Sequence, residues 1–219
     1  MTNPHVGLEE RAADLKELMR ARKDLIPQFD RLFEYSWIHH DNALEGIVVT
    51  AKEMEDALNP LNLPAPDSST AQTYREVRNY KAAIDFIREE ADKKNGFTLP
   101  LVKRLYEILG QGFVNRDKPV FRKDMPLHRT YFHEIFQPAK IPDGLDKVLQ
   151  RTTLPEFKEA HPIRQATQLH HEFMQVFPFT DNSGKIARLL SNLILIRGGM
   201  QPAVIHAIDR NRYYESLKQ

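Results

Sequence analysis

A mainly α-helical fold with one β-hairpin is what this 219-residue chain predicts, on three observations. Apolar residues recur at helical spacing over most of its length. Helix-start and helix-stop residues punctuate that pattern at the right places. A single stretch, Gly112–Ile141, breaks it, with aromatic and β-branched residues set among polar ones.

Leu8–Leu25 and Phe29–Leu44 are amphipathic, and the second helix closes at Gly46, a residue suited to a left-handed C-terminal cap. Thr50 with Glu53 makes a capping-box pattern that opens a short helix through Leu58. The proline-rich stretch Asn59–Ser69 is a surface loop. Val77, Tyr80, Ile84 and Ile87 then share one face of a helix that Gly96 stops. Thr98 and Pro100 start the next helix, which runs to Leu109 and Gly110. Gly112–Ile141 follows as the hairpin, bounded by turn signals at Gln137-Pro138 and Ile141-Pro142-Asp143-Gly144. Helical pattern returns at Leu145–Leu149 and from Pro162 to about Val176. A non-helical hinge, Phe177–Ser183, leads into a helix from Gly184 to Arg197, closed by Gly198-Gly199. Asn211–Lys218 is a last helical segment. Residues 1–58 are read as N-terminal helices and 59–219 as the core, all one compact unit.

Charge and composition exclude several classes. With 31 Lys and Arg against 30 Asp and Glu, no global field draws the chain to nucleic acid or to an anionic membrane, so any anion site must be local. The longest apolar run, Leu189–Ile196, is too short to span a bilayer and contains Ser191 and Asn192. A soluble, cytoplasmic protein is expected. The absence of cysteine excludes a disulfide framework, a thiolate zinc site and a cysteine nucleophile.

The chemistry concentrates in FPFTDNSGKIARLLSNLILI. A proline-pinned turn and small polar residues lead into a helix whose first turns carry Lys185 and Arg188. Unpaired amides at such a helix start, aided by the helix dipole, suit an anion. Asp181 would hold a divalent metal against a phosphate, or else cap the helix. On loop composition alone, an ordinary capped helix is the simpler reading.

The segment resembles, without a gap, the Fic signature His-Pro-Phe-x-(Asp/Glu)-(Gly/Ala)-Asn-Gly-Arg-x-x-Arg. Pro178, Phe179, Asp181, Gly184 and Arg188 match it. Phe177 replaces the histidine, Asn182 the small residue, Ser183 the asparagine and Lys185 the first arginine. The lead-in HPIRQATQLHHEFMQVF, the exit LLSNLILIRGGMQP with AIDRNRYYESL, and the upstream EVRNYKAAIDFI, TLPLVKRLYEIL and VFRKDMPL are similar to Fic segments in Fic order, from roughly residue 30 to the end.

The resemblance implies a Fic, or Fido, helical fold and an ancestry in protein AMP transfer from ATP. It assigns the nucleotide to Asn182, Ser183, Gly184, Lys185 and Arg188, and Mg²⁺ to Asp181. Phe177 takes the position of the catalytic histidine. The hairpin becomes the flap that holds a target protein, here His128 to Lys140. DNALEG is similar to the family's inhibitory motif, with Glu45 and Gly46 in place and Asp41 where a hydroxyl residue would stand; its glutamate pairs with the second signature arginine, here Arg188. Glu45 also needs a partner on physical grounds, since an anion at a helix C-terminus is disfavoured by the dipole.

The departures carry a cost. General-base assistance contributes roughly 10²–10⁴-fold, and a phenyl ring cannot accept a proton. Lys185 keeps a charge but loses the bidentate fork of an arginine. Among other histidines, His128 and His133 lie in the expected flap, His170 and His171 precede Phe177 by about two helical turns, and His39 and His40 lack a carboxylate pattern for a metal. The sequence therefore predicts a nucleotide-binding pseudoenzyme or regulator. The alternative is an active transferase or phosphodiesterase in which a flap histidine, Glu45 or the substrate supplies the base.

Overall fold

A computed structural model describes residues 6–66, 68–93, 95–126 and 133–218. In chain order the helices are α1 (Val6–Ala21), α2 (Ile26–Leu44), α3 (Ala51–Leu58), α4 (Ser69–Lys93), α5 (Leu99–Gly110), α6 (Ile141–Arg151), α7 (Pro155–Lys158), α8 (Pro162–Val176), α9 (Ser183–Arg197) and α10 (Arg210–Ser216). Among the described residues no helix is long and apolar enough to cross a membrane.

The boundaries follow from local chemistry. Pro27 sits in the first turn of α2, where its missing N–H is harmless, and a short 3-10 turn, Lys23–Leu25, separates α2 from α1. The expected first helix to Leu25 therefore ends at Ala21 instead. Gly46 adopts φ 87° and donates its N–H to the Ala43 carbonyl, as a left-handed cap requires. The capping box of α3 is complete: Thr50 Oγ1 accepts from Glu53 N, and Glu53 accepts from Thr50 N at 2.9 Å. His161 caps α8, its Nδ1 accepting from Ile163 N at 3.2 Å.

Helix α9 is the central element. Every residue from Ser183 to Leu195 is buried, so this helix is enclosed on all sides by α8, α4 and α5. Helix α2 packs on α4 and brings its C-terminal turn toward the start of α9. Trp37, Ile38, Leu44, Tyr80, Ile84, Phe173, Phe177, Phe179, Ile186 and Leu190 belong to the continuous core.

The expected hairpin is corrected. Among the described residues there is no strand, and residues 127–132 at its centre, including His128, lie outside the described residues. The two flanking arms do not pair with each other where they are described. Arg122 N donates to the Pro178 carbonyl at 3.0 Å, and Phe136 N donates to the Gln175 carbonyl at 2.8 Å. The carbonyls at the end of α8 thus take the donors that a two-stranded ladder would have used.

Candidate functional site

Phe177 ends α8 in the left-handed region, at φ 44° and ψ 65°, a conformation that disfavours a bulky side chain. Its backbone is held on both sides: its N–H donates to the Phe173 carbonyl at 2.8 Å, and its carbonyl accepts from Arg122 Nε at 2.7 Å. The buried Arg122 guanidinium also donates to the Asp124 and Phe136 carbonyls, so one side chain ties the end of α8 to both arms. The Phe177 ring is 1% exposed and lies edge-on to His133, with 6.3 Å between ring centroids. His133 is itself buried, its Nε2 2.9 Å from the Met174 carbonyl.

The loop then turns through Asn182, also left-handed at φ 63°. Ser183 is fully buried and staples the turn, its Oγ accepting from Phe179 N at 2.9 Å and donating to Phe179 O at 2.8 Å. The residue before α9 is Asn182, which makes no side-chain cap, so Asp181 does not cap this helix. Asp181 is instead partly exposed, with Arg116 Nε 3.6 Å from its carboxylate. The first amides of α9 accordingly lack a capping side chain at the N-cap position, and Asn182 Nδ2 is a buried donor without a hydrogen-bond partner among the described residues.

Both cations of the loop are buried and matched by α2 and α4. Lys185, 2% exposed, donates to Asn42 Oδ1 and Glu76 Oε2, each at 2.8 Å. Glu76 also accepts from Arg116 Nη1 at 3.0 Å. Arg188, 4% exposed, donates from Nε and Nη2 to Asp41 Oδ1 at 2.9 and 2.5 Å, and from Nη2 to Glu45 Oε1 at 2.9 Å. Tyr80 OH donates to the other Asp41 oxygen. Burial opposes the charge of Arg188, but Asp41 foremost, then Tyr213 and Glu45, outweigh it and hold the guanidinium pKa well above its ordinary value.

Glu45 therefore lies within ion-pair distance of Arg188, as the resemblance of DNALEG to the family's inhibitory motif implies, and it covers the start of α9. A Cβ on Gly184 would collide with Glu45 Oε1 and press on Arg188 Nη1, so only glycine lets the carboxylate approach this closely. Sequence reasoning missed that Asp41 makes two of the three carboxylate contacts to Arg188, and that Asn42 and Glu76 engage Lys185. Asp41 and Glu45 fall four residues apart across the C-terminal end of α2 and so face the same way, a signal the sequence could have supplied. Arg122, quoted only as part of a segment, was also missed. His39 and His40 immediately precede Asp41, and the His40 ring stacks on His206 with 4.3 Å between ring centroids. Among the described residues no group of three or more His, Cys, Asp or Glu could hold a metal.

The geometry defines a helical protein whose buried Lys185 and Arg188, just past a loop-to-helix junction, are matched by polar and acidic side chains from neighbouring helices. Residues 96–195 match the model of the Fic/DOC family. It is similar to the protein adenylyltransferase Fic of Nematostella vectensis, 28% identical over 193 residues that cover 84% of this chain and 43% of that protein. It is also similar to the protein adenylyltransferase Fic of Culex quinquefasciatus, 26% identical over 185 residues covering 83% and 36%. The chain thus spans less than half the length of these curated relatives. Among solved structures, a Fic domain containing signaling protein from Bacteroides thetaiotaomicron superposes with a TM-score of 0.74 at 24% identity, covering 92% of this chain and 80% of that one. Fic-1 from C. elegans superposes with a TM-score of 0.72 at 20% identity, covering 96% and 66%. The fold is the Fic fold.

Proposed function

We propose that this chain is a cytoplasmic, nucleotide-binding Fic-fold pseudoenzyme or regulator that transfers no AMP. The observation that carries this reading is Phe177: an apolar, buried ring stands where the resemblance puts the general base, and it has no atom able to take a proton from an attacking hydroxyl. What supports a nucleotide ligand is the fit of the cradle. Gly184 in the first turn of α9 and the Arg188 guanidinium converge on the place that the Glu45 carboxylate occupies, and Asn182 at the N-cap position supplies no side-chain cap to that helix. Carboxylate and phosphate compete for the same donors, so Glu45 acts as the inhibitory residue and must leave before a terminal phosphate of ATP enters. Asp181, partly exposed, would supply one carboxylate ligand to Mg²⁺, and phosphate oxygens would have to supply others, since no larger ligand cluster exists among the described residues. When bound, the magnesium would neutralise phosphate charge. Lys185 contributes less than its sequence position suggests, because Asn42 and Glu76 already occupy its ammonium group. The segment from His128 to Lys140 is the proposed docking place for a protein target.

Single-turnover incubation of the wild-type protein with labelled ATP and cell lysate tests the reading, and no transfer of label to itself or to lysate proteins is expected. Robust labelling overturns it in favour of an active transferase or phosphodiesterase using another base. Glu45→Gly is expected to tighten MgATP binding more than ADP binding in calorimetry; no heat with either nucleotide would leave the cradle without this ligand.

A further inference from the structure

A concavity shares Arg188 with the start of α9, although no residue of the loop at 177–183 lines it. It has a volume of about 1230 Å³ and is formed by α1, α8, α9, the segment Met200–Ile205 and α10. That is large enough for a drug-sized organic molecule, whose pockets run to roughly 300–1,000 Å³. Its walls are mostly apolar, with Leu8, Leu15, Ile163, Leu195, Ile205 and Leu217 among them.

The deep polar groups are already matched within the protein. Arg188 Nη1 donates to Tyr213 OH at 3.4 Å, and since a guanidinium can only donate, the phenol proton goes to His170 Nε2, 2.9 Å away. His170 is accordingly held neutral, its pKa pushed down to about 3 by burial first and then by Arg188. Asn192 bonds both backbone groups of Ala203, and Ser191 Oγ donates to backbone carbonyls of Ala166 and Ala187. The interior therefore calls for an apolar chain and offers no unmet polar demand of this kind.

Charge at the rim is a different matter. Arg11 and Arg164 line the cavity, are exposed, and enter no ion pair among the described residues. No aspartate or glutamate lines it: Glu10 and Asp14, the acids beside Arg11 on α1, are absent from its walls, and Glu9 is turned to His161 Nε2 at 3.0 Å. The charge of Arg188 is already compensated by Asp41 and Glu45. The unmatched charge is thus positive and sits at the entrance.

We infer that this cavity is a binding site for a small amphiphilic carboxylate, its hydrocarbon chain between α1, α8 and α9 and its head group at Arg11 and Arg164. Calorimetry of the 219-residue protein with dodecanoate below its micellar concentration is the test. Saturable one-to-one binding is expected, with dodecylamine weaker by about tenfold or more, because the rim charge discriminates between head groups. Arg11→Glu with Arg164→Glu changes two exposed positions and is expected to weaken dodecanoate binding by at least about tenfold while sparing dodecylamine. Thr167→Trp, on the exposed side of α8, fills the cavity and removes binding of both. Circular dichroism and Tm establish that each variant is folded. Uptake without saturation, equal affinity for the two head groups, or undiminished dodecanoate binding in a folded variant overturns the inference. So does sedimentation showing a wild-type dimer that Thr167→Trp dissociates, since a second copy of the chain would then be the occupant.

Discussion

Replacing Asp41 by asparagine isolates the charge that holds Arg188. The two side chains have nearly the same shape, so the new carboxamide can keep its oxygen toward the guanidinium and turn its NH₂ toward Tyr80, whose phenol then accepts instead of donating. What disappears is one negative charge beside a buried positive one. Removing one partner of a buried pair costs about 3–5 kcal/mol. Glu45 remains 2.9 Å from Arg188 Nη2 and retains part of the compensation, which places the cost at about 3 kcal/mol, the low end of that range. Glu45→Gln likewise removes a charge, at the more accessible edge of the site, and should cost less, about 1–1.5 kcal/mol. Urea unfolding at pH 7.5, with both variants fitted for midpoint and slope, measures the two directly. Asp41→Asn costing no more than Glu45→Gln would show that Asp41 is not the principal counter-charge. With Asp41 holding Nε and sharing Nη2, removing Glu45 frees an N–H of Arg188, for phosphate under the proposed nucleotide function, without releasing the side chain from α2.

The contact between Gly184 and Glu45 gives a second prediction. Gly184→Ala should destabilise the wild-type protein by about 1–3 kcal/mol through overpacking, but distinctly less in a Glu45→Gly background, and a double-mutant cycle on unfolding free energies measures the difference. Additive effects would mean that the two residues do not touch. The third prediction concerns pH. The folded-state pKa of His170 is about 3 against an ordinary 6.5, so the unfolded chain binds the extra proton between those values and stability falls as pH drops through that window. At pH 5 the loss relative to pH 7.5 is about 2 kcal/mol from this group alone. His40, whose pKa is lowered by burial and then by His206 and His39, adds in the same direction. Unfolding midpoints at both pH values should differ by less in His170→Gln than in wild type, and an equal difference would refute the assignment.

The sequence alone determined most of the helices, several of their caps and the loop-to-helix junction at 177–188, because each is written in residues within a turn or two of one another. Thr50 and Glu53, Gly46, and the run from Pro178 to Arg188 are such cases; their hydrogen bonds close over three or four residues, and their chemistry is legible without knowing what lies opposite. Tertiary structure decided what those groups meet. Arg188 and Lys185 find Asp41, Glu45, Asn42 and Glu76 from helices more than a hundred residues upstream, and which acid faces which cation depends on how α2 and α4 cross α9. Among the described residues the expected hairpin does not form, for the same reason. Aromatic and β-branched residues favour an extended arm, but whether its donors pair with a second arm or with the end of α8 is a choice made by packing, and Arg122 made it here by binding the carbonyls of Phe177 and Phe136 together. The cavity bounded by α1 and α10 has no local signature, since its walls come from both ends of the chain and only their convergence on α8 and α9 leaves space between them.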